Sequence, residues 1–225
     1  MRRAVAIAVG VLCGIGVPAR ALAQAADSPG RVEVGIGALW IGSQPLSTRA
    51  ATETTATTGT STLFNTASDL ASAAGFSGRV GVRLSRRLAV EGEATFTQPV
   101  LRVAVSGDAE GAAAVTATET VQQFTVGGGV LWAVPGRWSP RFAPFATAGG
   151  GYLRQLHEAA TLVETGHYLQ FGGGVNALLV SSRRFHTKGI GVRAEVRAVV
   201  RSKGVAFDGG SKTSPAAGIS LFVRF

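Results

Sequence analysis

The sequence predicts an all-β fold: an eight-stranded antiparallel up-and-down transmembrane β-barrel that follows an N-terminal signal peptide. Three observations predict it. Apolar and polar residues alternate with a period of two in eight runs, the runs are long, and the segments between them alternate between long and short. Such alternation indicates strands with one face in an apolar medium.

The predicted strands are defined by these runs. They cover residues 31–42, 76–84, 88 to about 96, 121–134, 141–154, 168–180, 190–201 and 217–225. The seventh has the clearest apolar face, which consists of Ile190, Val192, Ala194, Val196, Ala198 and Val200. The fifth is fainter, and its preferred face is Phe142, Ala146, Ala148 and Tyr152.

Strand length separates a membrane barrel from a soluble sandwich. The runs are 9 to 14 residues long, whereas sandwich strands usually have about 5 or 6 and a tilted membrane-spanning strand needs about 9–11. Phe142 and Tyr152 lie ten residues apart on one strand. They would be separated by about 25 Å along the membrane normal, the height of the apolar band between aromatic girdles.

The connecting segments are asymmetric. Segments 43–75 and 98–120 are long, whereas 85–87 and 135–140 are short. Long extracellular loops and short periplasmic turns are typical of barrels in the bacterial outer membrane. Segment 43–75 is rich in Thr, Ala and Ser, and this composition predicts an exposed, mobile loop.

The polar face of the predicted strands carries charges of both signs. Five arginines and four glutamates are expected to point into the lumen: Arg79, Arg83, Arg193, Arg197, Arg201, Glu33, Glu91, Glu93 and Glu195. The interior of an eight-stranded barrel is just wide enough for side chains to fill. Because an unpaired charge there is costly, the pattern predicts a salt-bridged plug. A polar track for a small solute is the alternative.

The N-terminus has the features of a signal peptide. Arg2 and Arg3 precede an apolar run over residues 4–19, and an Ala-x-Ala sequence ends at Ala23. We expect cleavage between Ala23 and Gln24. Residues 1–23 would then be the signal peptide and residues 24–225 the barrel domain. The apolar run is shorter than the ~20 residues of a spanning helix.

The C-terminal half carries a family resemblance. The last strand alternates up to the aromatic Phe225, and segments 144–152, 171–175 and 191–197 read PFATAGGGY, FGGGV and GVRAEVR. Together, residues 31–225 resemble the small outer membrane β-barrel domain family, which includes the OmpA transmembrane domain and OmpX. The resemblance implies an outer membrane location and an eight-stranded fold. It also implies contact with outer membrane lipids and recognition of Phe225 by the barrel assembly machinery; we expect a monomer.

Motifs for catalysis or cofactors are weak. The glycine triplets at 127–129, 149–151 and 172–174 lack the strand-to-helix context of a phosphate loop, so they indicate bends, bulges or close backbone approach. His157 and His167 lie in or beside a predicted loop, where exposed histidines are common. We therefore predict no catalytic residue, no metal and no cofactor. The basic residues are not interleaved with aromatic ones, which argues against nucleic-acid binding.

Three functions remain open from the sequence. The first is a structural or surface-interaction barrel with a plugged lumen. The second is a narrow, porin-like channel for small polar solutes. The third is a lipid-modifying outer membrane enzyme, although we find no His-x-Ser-Asn-like segment.

Overall fold

The computed structural model describes residues 32–56, 59–136, 138, 141–157, 162–180, 187–204 and 210–225. Twelve strands form in these ranges. Eight of them build the barrel: β1 (Val32–Ile41), β4 (Ala73–Arg83), β5 (Leu88–Thr97), β8 (Gln122–Ala133), β9 (Phe142–Leu156), β10 (Val163–Val180), β11 (Gly189–Lys203) and β12 (Lys212–Arg224). The other four build a second sheet: β2 (Gln44–Thr55), β3 (Gly59–Leu70), β6 (Val100–Ser106) and β7 (Val115–Thr120).

The eight barrel strands close in the order β1-β12-β11-β10-β9-β8-β5-β4. Every neighbouring pair is antiparallel, and consecutive barrel strands lie side by side. Closure joins the first strand to the last, with Gly35 opposite Phe222. The predicted eight-stranded antiparallel barrel is therefore confirmed.

The outward face is apolar, as the alternation predicts. Ile36, Phe76 and Val196 each expose about two thirds of their surface (68%, 69% and 65%). The preferred face of the fifth predicted strand is also correct, because Phe142 and Tyr152 point outward from β9 while Phe145 is buried between them. In the described ranges, no helix is long and apolar enough to cross a membrane.

The second sheet corrects the prediction of long mobile loops. Segments 43–75 and 98–120 contain β2, β3, β6 and β7, which pair in the order β2-β3-β6-β7. A buried apolar cluster of Leu46, Leu70, Leu101 and Val121 lies at its base. The Thr-rich composition was misleading because Thr is β-branched and favours strands. The pairing of β3 with β6 also joins residues of two different loops.

Several barrel strands continue further than the sequence predicts. β10 begins at Val163 rather than at 168, and β12 begins at Lys212 rather than at 217. The added residues pair across hairpins, for example Val163 with Leu156 and Lys212 with Arg201. Polar residues continue a strand wherever a neighbouring backbone satisfies their N–H and C=O groups.

Candidate functional site in the barrel lumen

Two kinds of strand line the lumen. β4, β5 and β11 send long charged side chains inward, whereas the inner surface of β8, β9 and β10 is lined in the same region by glycines. Gly127 lies opposite Gly151, and Gly129 lies opposite Gly149. The absence of side chains at these glycine positions leaves room for the charged groups.

Glu195 is the centre of the charged cluster. Its Oε1 accepts a hydrogen bond from Arg79 Nη2 at 2.8 Å, and its Oε2 accepts one from Arg193 Nε at 3.0 Å. Arg197 also donates to Oε1. The Glu195 side chain is only 1% exposed, so one nearly water-free carboxylate binds three guanidinium groups.

A second carboxylate binds two of these arginines from the opposite side of the barrel. Glu93 on β5 accepts from Arg197 Nη1 at 2.5 Å and from Nη2 at 2.9 Å. Arg79 Nη2 lies 3.9 Å from Glu93, and Gln170 hydrogen bonds to both Glu93 and Arg197. Bidentate contacts of this kind fix the geometry of an arginine and are among the stronger hydrogen bonds in proteins.

Arg193 also contacts Glu91 on β5 and Phe145 on β9. Its Nη1 donates to Glu91 Oε1 at 2.6 Å, and its guanidinium carbon lies 4.2 Å from the centre of the Phe145 ring. The Arg193 side chain is 1% exposed. We call Arg79, Glu91, Glu93, Arg193, Glu195 and Arg197 the central cluster; it contains three positive and three negative charges.

The barrel end with the short β4–β5 turn contains another ion pair. Arg224 Nε donates to Glu33 Oε2 at 2.8 Å, and the Arg224 guanidinium lies 4.7 Å from the Phe222 ring centre. The sequence prediction missed Arg224, although its even spacing from Ser220 and Phe222 places it on the inward face. Arg83 also faces inward here, but no carboxylate of the described residues lies within 4.0 Å of it.

The opposite end of the lumen is closed mainly by uncharged polar groups. Arg201 Nη1 donates to Gln44 Oε1 at 2.9 Å. The buried amide of Gln123 donates to Thr97, and that of Gln155 donates to Gln123, at 3.2 and 3.1 Å. Within the described ranges Arg201 has no carboxylate partner, so it lies outside the salt-bridge network that the sequence predicts for it.

Residues 9–214 match the family described as "Outer membrane protein beta-barrel domain". The chain belongs to this family. It is an outer membrane protein, and the predicted location is confirmed. In such barrels the short turns face the periplasm, so the Glu33–Arg224 pair lies at the periplasmic end and the second sheet at the extracellular end.

The chain is similar to solved barrel structures, and the first of them shares its fold. Neisserial surface protein A is 14% identical with a TM-score of 0.51, and the match covers 86% of this chain and 97% of that protein. OprG from Pseudomonas aeruginosa is 10% identical with a TM-score of 0.49, covering 87% and 95%. Ail from Yersinia pestis, in complex with the heparin analogue sucrose octasulfate, is 10% identical with a TM-score of 0.43, covering 88% and 100%. No curated protein matches the sequence.

The glycine triplets allow neighbouring strands and side chains to lie close to their backbone. A Cβ atom on Gly127 would lie 2.4 Å from Tyr168 Oη and 2.5 Å from the Gly150 carbonyl oxygen. Tyr168 therefore lies against the bare backbone of β8. These triplets belong to strands, and none of them begins a helix.

The histidines lie in more defined surroundings than the sequence predicts. His157 Nδ1 lies 2.9 Å from Glu119 Oε2, and its side chain is only 11% exposed. His167 belongs to β10 rather than to a loop, and it contacts Tyr152 edge-on at 6.0 Å between ring centres. Among the described residues, no group of three or more His, Cys, Asp or Glu side chains could hold a metal ion.

The structure describes the C-terminal end of the chain but not the predicted signal peptide. The predicted signal peptide, with its cleavage site at Ala23 and Gln24, lies outside the described residues. Phe225 follows β12, and its N–H donates to the Val32 carbonyl at 2.8 Å. Its backbone thus extends the seam where the barrel closes. Recognition of Phe225 by the assembly machinery stays a prediction.

Proposed function

We propose that this outer membrane barrel does not conduct solutes and has a structural or surface-interaction role. The observation that carries the proposal is the central cluster, whose side chains cross the lumen. Arg79, Arg193 and Glu195 are at most 5% exposed as residues. An eight-stranded barrel has little space beyond its own side chains, so these charges occupy the path that a solute would need.

The extracellular sheet supports the surface-interaction part of the proposal. β2, β3, β6 and β7 extend two of the connections of the barrel into a paired sheet. Its base is fixed by residues such as Leu46 and Leu70, which are 1% and 2% exposed. A preordered surface loses less conformational entropy on binding than a mobile loop. The sheet would therefore offer a partner a rigid, hydroxyl-rich face.

Conductance of purified protein in planar bilayers tests the plug. We expect no reproducible openings from the wild-type barrel. The double variant Arg197→Ala/Glu93→Ala removes both partners of one luminal pair and leaves no new net charge, so it is expected to open small channels. It is also the control that shows the assay can detect a pore of this size. Reproducible openings from the wild type would contradict the proposal and favour the porin-like alternative.

We further propose that the barrel is not an enzyme. The carboxylates of the central cluster are engaged by arginines, so they are poorly placed to accept a proton from a substrate. Expression of the protein is expected to leave lipid A unchanged by mass spectrometry. A new lipid A species that depends on the protein would instead favour the lipid-modifying enzyme.

The proposed partners are outer membrane lipids, with the barrel as a monomer. The apolar outward face supports lipid contact, and closure of β1 on β12 leaves no open edge in the barrel itself. Native mass spectrometry in detergent is expected to show one copy per micelle. A stable dimer at low protein concentration would overturn the monomer.

A further inference from the structure

A cavity of about 260 Å³ lies at the periplasmic end of the barrel. Phe145, which stacks on Arg193 of the central cluster, forms part of its wall, so the cavity lies on the periplasmic side of the plug. Its charged lining residues are Arg83, Arg86, Arg87, Arg224, Glu33 and Glu91. Among the residues that the structure describes, the lining therefore has four positive and two negative charges.

Both carboxylates of the lining are already engaged. Glu33 accepts from Arg224 at 2.8 Å, and Glu91 accepts from Arg193 at 2.6 Å. Within the part of the chain that the structure describes, three further guanidinium groups have no carboxylate within 4.0 Å: those of Arg83, Arg86 and Arg87. The cavity thus has an excess of unpaired hydrogen-bond donors with positive charge.

Asn176 on β10 provides a second, independent observation. It lines the cavity, it is 7% exposed, and its Oδ1 has no hydrogen-bond partner among the described residues. A buried polar atom without a partner is costly. A ligand that carries both acceptors for arginine and a donor for this oxygen would satisfy the site.

We propose that this cavity binds inorganic phosphate from the periplasm. Arginine matches phosphate oxygens with paired N–H donors. A hydrogen phosphate group also keeps an O–H, which can donate to Asn176 Oδ1. A carboxylate has no such proton at neutral pH, and neither does sulfate. The cavity lies inside the barrel rather than on its lipid-facing surface. This location favours a solute over a lipid headgroup.

Calorimetric titration of inorganic phosphate into the folded full-length barrel, in nonionic detergent, tests this inference. We expect saturable binding with a Kd in about the millimolar range or below. Arg86→Gln/Arg87→Gln is expected to weaken binding about tenfold or more, because each lost contact is a charge-assisted hydrogen bond. These two residues lie in an exposed turn, so the double variant should fold normally.

Two controls make the result specific. Arg102→Gln/Arg154→Gln removes the same charge from exposed positions towards the extracellular end, and it should leave phosphate affinity unchanged. Asn176→Leu should reduce the preference for phosphate over sulfate, whereas the wild type should bind sulfate more weakly.

Three outcomes would overturn the inference. The first is the absence of saturable phosphate binding by the wild type. The second is an equal loss of affinity in both arginine double variants, which would indicate a general charge effect. The third is binding that occurs only to vesicles containing phosphatidylglycerol and not to free phosphate, which would assign the arginines to a lipid headgroup. Each outcome is independent of whether the lumen conducts.

Discussion

Replacing Glu195 by glutamine tests the central cluster most directly. The change keeps the size of the side chain but removes the one carboxylate that binds Arg79, Arg193 and Arg197 together. All four side chains are at most 6% exposed. The three guanidinium groups would then face two glutamates instead of three, and the central cluster would gain one uncompensated positive charge.

The expected loss of stability follows from that imbalance. Removing one partner of a buried ion pair costs about 3–5 kcal/mol, because the remaining charge stays buried. Glu195 has three partners, and neighbouring Glu93 still neutralises part of the charge. We therefore expect Glu195→Gln to lower the free energy of unfolding by about 3 kcal/mol.

Unfolding in guanidinium chloride, followed by tryptophan fluorescence and by the gel mobility of unheated samples, measures this loss. Glu33→Gln is the matched control, because Glu33 contacts one arginine at the rim and its side chain is 15% exposed. We expect the control to cost less than Glu195→Gln, because the Arg224 side chain at the rim is 16% exposed and water can replace its lost partner. The reasoning is refuted if the free energy of unfolding of Glu195→Gln lies within about 0.5 kcal/mol of the wild-type value, which is the range of neutral surface changes.

Two further predictions concern the barrel wall and the extracellular sheet. Gly127→Ala should lower the free energy of unfolding by about 1–3 kcal/mol through overpacking, since its Cβ would lie 2.4 Å from Tyr168 Oη. The control Gly78→Ala, with no atom within 4 Å of its Cβ, should leave the unfolding midpoint unchanged. Equal effects of the two substitutions would contradict the role of close approach. Leu70→Ala should weaken the base of the sheet by about 2–5 kcal/mol and so speed limited proteolysis of residues 43–71, while the barrel keeps its heat-dependent gel mobility. Val115→Ala is the control for the sheet because Val115 is 65% exposed, and identical cleavage of the two variants would show that the apolar cluster does not hold the sheet.

The sequence itself contains the information that assigns side chains to faces. Successive residues of a strand point to opposite sides, so Arg79, Glu93 and Arg197 were placed in the lumen from spacing alone. The existence of eight strands followed from the same local rule. Arg224 was missed only because the terminal strand was assigned by its apolar face.

Partners across the lumen could not be derived in this way. Arg79 and Glu195 are 116 residues apart in the chain, and their contact depends on the registers of every strand that lies between β4 and β11 around the barrel. The sequence indicated that the charges nearly balance, but not that Glu195 is the centre. It also gave no means to separate Arg201, which binds Gln44, from the arginines that form ion pairs.

The extracellular sheet shows the same division most clearly. The Thr-rich segment has residues that suit either a strand or an exposed loop, and nothing local chooses between them. Pairing of β3 with β6 and burial of Leu70 beside Leu101 decide the question. The alternation along each strand therefore determined the barrel and its inward charges, because side-chain direction is a local property of extended backbone. Only the tertiary structure decided which charges meet and which loops become sheet, because both depend on contacts between residues that are distant in the chain.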